Sequence, residues 1–220
     1  MAEFGHLLVP LLHGLAISLR VVAGAAALAV PIAVLAGLAR MAPWRAVAWP
    51  AACYVELFRG TSALVQLFWV YFVLPLFGLR ISAMAAGTVV LALNAGAYGA
   101  EVVRGAVAGV PAAQREAAVA LNMSGWQVLW RVVLPQAVPA MLPPAGNLLI
   151  ELLKNSALVS LITLTDLTFS AQLLRSETFR TVEVFGLALL LYFAAAQLLA
   201  ALMRGLERAL ARRQGRAAVR

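Results

Sequence analysis

The sequence predicts an all-α fold, a polytopic bundle of five membrane-spanning helices, and three observations lead there. The 220 residues are 64% hydrophobic and only 12% charged, where a soluble domain carries about 25% charged residues. So apolar a chain needs lipid or a partner protein to cover its surface. Charge-free stretches recur at the ~20-residue length that a bilayer-spanning helix needs. The basic residues fall in the short gaps between them, as membrane topology requires. The formal charge of +8 therefore belongs to topology, and no nucleic-acid partner is expected. Residues 1–220 are expected to form one membrane domain with no second globular domain.

Four spans are marked directly by charge-free stretches at residues 21–39, 62–79, 81–100 and 184–203. A fifth uncharged stretch, 132–150, contains Pro135, Pro139, Pro143 and Pro144. Proline is tolerated in membrane helices where neighbours satisfy the freed carbonyls. This span is read as a helix starting near the proline cluster and running to about Leu158. Alanine and glycine are dense in these spans, which lets helices approach closely. Gly105 and Gly109 form a GxxxG past the end of the third span, a weak signal alone.

Orientation follows from Lys and Arg in the connections. One set holds Arg40, Arg45, Arg59, Arg104, Arg115, Arg131 and the tail Arg204, Arg208, Arg212, Arg213, Arg216 and Arg220; the other holds only Arg80, Arg175 and Arg180. Twelve against three predicts a cytoplasmic C-terminus, and five spans then put the N-terminus outside. The start carries Glu3 and no early Lys or Arg, so it lacks the basic opening of a cleaved signal peptide. Arg20 is expected to snorkel to the outer headgroups.

Several chemistries are not encoded. There is no GxxxxGK[ST], so ATP is not held in the P-loop manner. There is no HExxH and no cysteine pair; Cys53, the single cysteine, reads as a small buried residue. His6 and His13 stand near the outer end without a carboxylate, a poor metal set. No catalytic residue, cofactor or metal is expected, and any work must draw energy from a partner or a gradient.

Residues 104–135 form the longest cytoplasmic connection. Within it, 114–121 reads QREAAVAL, a run of strong helix formers. Pro111 can open that helix, and Glu116 lies early in it, where a negative charge suits the dipole. Ala117, Ala118 and Ala120 leave one face without bulk, and Asn122 ends the run, since asparagine tolerates the left-handed conformation. A second short helix is expected over 124–133, capped by Ser124, carrying Trp126, Leu129 and Trp130 and ending at Leu134-Pro135. Two readings stay open: a rigid, small-faced helix that fits a cleft in another protein, or an amphipathic segment packed on its own bundle.

The segment resembles the EAA loop of binding-protein-dependent ABC importer permeases, whose pattern is EAA, three residues, G, nine residues, I, one residue, LP. Glu116-Ala117-Ala118, Val132 and Leu134-Pro135 match at that spacing; Asn122 stands where the pattern has glycine. ELFRGTSALVQ at 56–66, AYGAEVVRG at 97–105 and PPAGNLLIELLKNSALVS at 143–160 are similar to the polar amino-acid subfamily. The strings at 54–68, 121–124 and 157–172 look most like ectoine/hydroxyectoine permease subunits. The resemblance implies a type I permease fold in a bacterial cytoplasmic membrane. It implies Glu116, Ala117, Ala118, Asn122, Leu134 and Pro135 as the ATPase-coupling set. It also implies two cytoplasmic ATP-binding subunits, a second permease subunit (the same or homologous) and an extracytoplasmic solute-binding protein.

Polar residues inside a membrane default to function or to helix–helix adhesion. Asn94, Tyr98 and Glu101 stand at i, i+4 and i+7; Asn147, Glu151 and Lys154 repeat that spacing, with Asn155 adjacent. Two equal stripes suggest a shared aqueous path. The alternatives are a closed Glu151–Lys154 pair and a Glu101–Arg104 pair at the cytoplasmic mouth. A carboxylate, an ammonium and neutral amides on one path suit a small zwitterion, an amino acid or a cyclic solute such as ectoine. Competing classes are a channel or secondary carrier, which paired inverted repeats would favour, and a structural membrane assembly factor, for which the stripes would be adhesion.

Overall fold

A computed structural model describes residues 2–217, with side chains from His6 to Leu210; Glu3, Arg212, Arg213, Arg216 and Arg220 lie outside the described side chains. The described residues are helical throughout, joined by short turns. The helices are α1 (Ala2–Ala39), α2 (Arg45–Gly60), α3 (Ala63–Phe77), α4 (Ala83–Ala108), α5 (Ala112–Ala120), α6 (Gly125–Ile162), α7 (Leu167–Thr178) and α8 (Thr181–Ala217). Each charge-free stretch is helical, and α1, α4, α6 and α8 are each long and apolar enough to cross a membrane alone. The span expected at 62–79 appears as α3, which meets α2 at an angle of 104°.

Helix direction decides the number of crossings. Gly24 lies against Thr88, and Gly37 lies against Ala100 and Val103, so α1 and α4 run parallel. Two parallel neighbours need a return crossing between them, and only the bent α2–α3 pair is available. With α6 antiparallel to both α4 and α8, this gives five crossings and puts the described termini at opposite ends of the bundle. Glycine makes the α1–α4 contact possible: a Cβ on Gly37 would stand 2.8 Å from the Ala100 carbonyl oxygen.

Three apolar clusters stack along the bundle. The central one joins Val21 and Ala25 of α1 to Leu67, Val90, Leu91, Leu153 and Ile162. At one end Leu7 and Leu11 meet Leu167, Leu174 and Val184. At the other, Val103 and Val107 meet Ala118, Val128 and Val133. The outward faces keep large apolar side chains exposed, Val30 and Leu35 on α1 and Leu189, Phe193 and Leu202 on α8 among them, as lipid or a partner requires. Cys53, expected to be buried, is exposed on α2.

Two sequence expectations are corrected. No separate helix ends at Leu134-Pro135; α6 runs through the prolines. Pro135 offers no N–H to the carbonyl four residues back, and a widened π turn at Leu129–Val133 carries the helix past it, with the Leu134 N–H reaching Leu129 O. The Gln136 amide donates to the Val132 carbonyl at 2.8 Å. The helices α2 and α7 were not expected. α7 is begun by Asp166, which is fully buried. Its Oδ1 accepts the Phe169 N–H at 2.9 Å, its Oδ2 accepts the Tyr192 hydroxyl at 3.3 Å, and Ser18 Oγ accepts the Leu167 N–H at 3.1 Å.

Asp166 lies between the spans that end at Ile162 and begin at Thr181. Burial pushes its carboxyl up from 3.8 to about 6, against the Phe169 N–H, which pulls it down. A carboxyl raised in the folded state holds more protons there than when unfolded, so stability falls as pH rises from about 4 to about 6 and levels off above. Asp166→Asn keeps a capping acceptor and is expected to flatten that slope. Asp166→Ala loses the cap, at a cost of about 1 kcal/mol. Thermal unfolding of the detergent-purified protein between pH values of about 4 and 7 checks both; an unchanged slope in Asp166→Asn would contradict the assignment.

Candidate functional site

The site grows from the break between α2 and α3. At residues 61–62 the backbone leaves the helix, so the carbonyls behind it lack helical partners. The Phe58 carbonyl is met by two amides: Gln66 Nε2 donates to it at 3.0 Å and Asn94 Nδ2 at 3.1 Å. Gln66 also donates to Thr61 Oγ1 at 2.7 Å, and Asn94 also donates to Gln66 Oε1 at 3.3 Å. These amides fasten the bend to α4, and Tyr54 adds a hydroxyl bond to the Leu93 carbonyl at 2.6 Å.

One turn further along α4, Tyr98 faces α6. A narrow cleft of about 10 Å³, room for roughly one water, lies between the two helices, lined by Asn94, Tyr98, Glu151 and Asn155 with Leu91 and Leu152. The two stripes of equal spacing thus meet at four polar residues. Asn147 and Lys154 are exposed on α6 and do not line the cleft. Glu151 and Lys154 are both exposed, and no ion pair or hydrogen bond joins them. Asn94 lines the cleft, but both its donor contacts go to the bend, so it holds the wall in place.

Glu101 sits at the basic end, as the alternative reading had it. Arg104 Nη2 lies 2.8 Å from its Oε2, Arg40 pairs with its Oε1, and Arg59 Nη1 lies 3.7 Å from the same oxygen. Arg40 also reaches Glu56 at 3.5 Å. The Arg59 guanidinium lies over the Tyr98 ring, 5.5 Å from its centroid. Gln66, Arg59 and Glu56 all lie in ELFRGTSALVQ; in the sequence Arg59 counts only toward orientation, and nothing marks Glu56 or Gln66 as fastening the bend.

The segment after α4 is built as a rigid hairpin. α5 ends in a Schellman motif: Asn122 takes φ 54°, its N–H reaches Val119 O at 2.9 Å, and the Met123 N–H reaches Ala118 O at 3.2 Å. Asn122 therefore supplies the left-handed turn at the place of the pattern's glycine. Ser124 and Gln127 form a reciprocal capping box at 3.4 and 2.9 Å. Arg115 donates to the Val107 carbonyl and ties α5 back to α4. Ala118 points inward, 4% exposed, among Val103, Val107 and Val128; its small size seats α5 on the bundle. Glu116, Ala117, Val119, Ala120 and Leu121 face outward, as does Pro135, while Leu134 is half-buried.

Comparison with known proteins agrees with this architecture. The family described as binding-protein-dependent transport system inner membrane component matches residues 29–216. The probable amino-acid ABC transporter permease protein y4tF of Sinorhizobium fredii is 52% identical over 168 residues, covering 74% of this chain and 71% of its own. The glutamine transport system permease protein GlnP of Escherichia coli is 36% identical, covering 80% of this chain and 82% of its own. A crystal structure of an amino acid ABC transporter with histidines superposes with a TM-score of 0.86 at 34% identity, covering 94% of this chain and 96% of that one.

Proposed function

The chain belongs to the family of inner membrane components of binding-protein-dependent transport systems, and from that premise we propose that it forms the solute path of an ATP-driven importer of small zwitterionic amino acids. The observation that carries the reading is the convergence of Asn94, Tyr98, Glu151 and Asn155 on one cleft between α4 and α6. A carboxylate there meets an ammonium group, and an amide and a phenol meet a carboxylate, so each end of a zwitterion finds a partner. Asn147 and Lys154 lie outside the cleft, exposed on the same helix.

The chain encodes no P-loop, so energy comes from two cytoplasmic ATP-binding subunits that dock on the outward face of α5. The basic end holding Arg40, Arg59 and Arg104 is the cytoplasmic end, with the N-terminus outside. A second permease subunit covers part of the exposed apolar faces, and an extracytoplasmic solute-binding protein delivers the solute and sets most of the specificity. Relatives named for amino acids and for glutamine support the amino-acid class. The narrower ectoine reading rests on the strings at 54–68, 121–124 and 157–172.

Competition for uptake tests the class. The chain is reconstituted with its ATP-binding and solute-binding partners, and neutral amino acids, L-arginine, L-glutamate and ectoine compete for transport. Neutral zwitterions are expected to compete best, with ectoine among them if the narrower reading holds. Preference for a solute of one net charge would overturn the zwitterion assignment.

A further inference from the structure

We propose that Arg59 is a positioning residue for transport, holding the Tyr98 ring as a fixed wall of the solute cleft; this rests on the cleft reading above. Arg59 is the second-last residue of α2, immediately before the break. The amides of Gln66 and Asn94 on the Phe58 carbonyl fix where that helix end lies. The 104° bend then delivers the guanidinium onto the Tyr98 ring, 5.5 Å from its centroid. Glu101 holds it there at 3.7 Å, and Glu101 is itself anchored by Arg40 on the α1 side and Arg104 within α4.

Tyr98 is half-buried and lines the cleft, yet no hydrogen bond fixes its hydroxyl. The cation over its face is therefore the polar contact that sets its orientation. A planar guanidinium can lie on a ring and keep a carboxylate at its edge at once, which an ammonium does less well. Arg59 thus links three features: the bend, the charge cluster at the basic end, and the wall that the solute meets.

A double-variant cycle in the reconstituted complex tests this, using the radiolabelled panel member that is taken up fastest. Arg59→Ala is expected to raise the KM for uptake about fivefold, the effect of one cation–π contact at a half-exposed site, with maximal rate and basal ATP hydrolysis little changed. Arg59→Lys, which keeps the charge, is expected to restore part of the loss. Adding Arg59→Ala to Tyr98→Ala is expected to change nothing further. Additive effects of the two substitutions would overturn the positioning role while leaving the cleft intact. An unchanged KM in Tyr98→Ala alone would overturn the cleft reading, and this proposal with it. If Arg59→Ala yields no folded complex, Arg59→Lys decides: an unchanged KM there overturns the proposal.

Discussion

Glu151→Gln combined with Lys154→Met is expected to leave a folded, ATP-hydrolysing complex whose uptake falls by about tenfold or more, the range for losing a charged hydrogen bond. Had these residues formed a closed structural pair, neutral replacement of both would be nearly harmless. Three residues apart on α6, they are exposed and unconnected, so no pair offsets their charges. Only Glu151 lines the cleft. Glu151→Gln alone is therefore expected to carry most of the loss, with a smaller effect from Lys154→Met. Initial uptake rates of the two single variants and the double variant check this. Near-normal uptake in the double variant would remove Glu151 from the path.

The second large effect concerns α5, where two neighbouring alanines are expected to behave oppositely. Ala117 faces outward and Ala118 is packed among Val103, Val107 and Val128. Ala117→Trp is expected to leave the permease folded but to abolish its association with the ATP-binding subunit, since added bulk blocks a fitted face. Ala118→Trp is expected to lower the yield of folded protein itself, because overpacking a filled site costs about 1–3 kcal/mol or more. Glu116→Lys, on the outward face, is expected to weaken coupling of hydrolysis to transport without loss of folding. Co-purification with the ATP-binding subunit, beside size-exclusion profiles of each variant, separates these outcomes. Normal association of Ala117→Trp would show that this face does not dock.

The spans were legible because charge is expensive in a bilayer, so the charge-free runs at 21–39 and 184–203 announce themselves. Their ends were not: α1 continues through Arg20 into the apolar residues before it, and α8 runs on past residue 203 through a charged stretch rich in helix formers. α2 was hidden by Arg45, Pro50, Glu56 and Arg59; Glu56 meets Arg40, and Arg59 meets Glu101 and Tyr98, only in the folded bundle. α7 was hidden for a similar reason, since its start is fixed by Ser18, 149 residues away. The i, i+4, i+7 spacing picked out Asn94, Tyr98 and Glu151, which line the cleft, together with Glu101, Asn147 and Lys154, which do not. It could not reveal that Asn94 spends its amide on the Phe58 carbonyl, because that carbonyl is freed by a break that tertiary structure makes. Helical spacing likewise left open which face of the alanine-rich α5 points inward.

The proposed role of this chain is that of a solute path driven by a partner's ATP hydrolysis. Solute uptake into proteoliposomes tests it most directly, comparing the chain alone with the chain assembled with its ATP-binding subunits and its solute-binding protein. Uptake is expected only in the full assembly and only with ATP on the side of the ATP-binding subunits. Uptake by the chain alone, without ATP, would contradict it and make the protein a channel or secondary carrier.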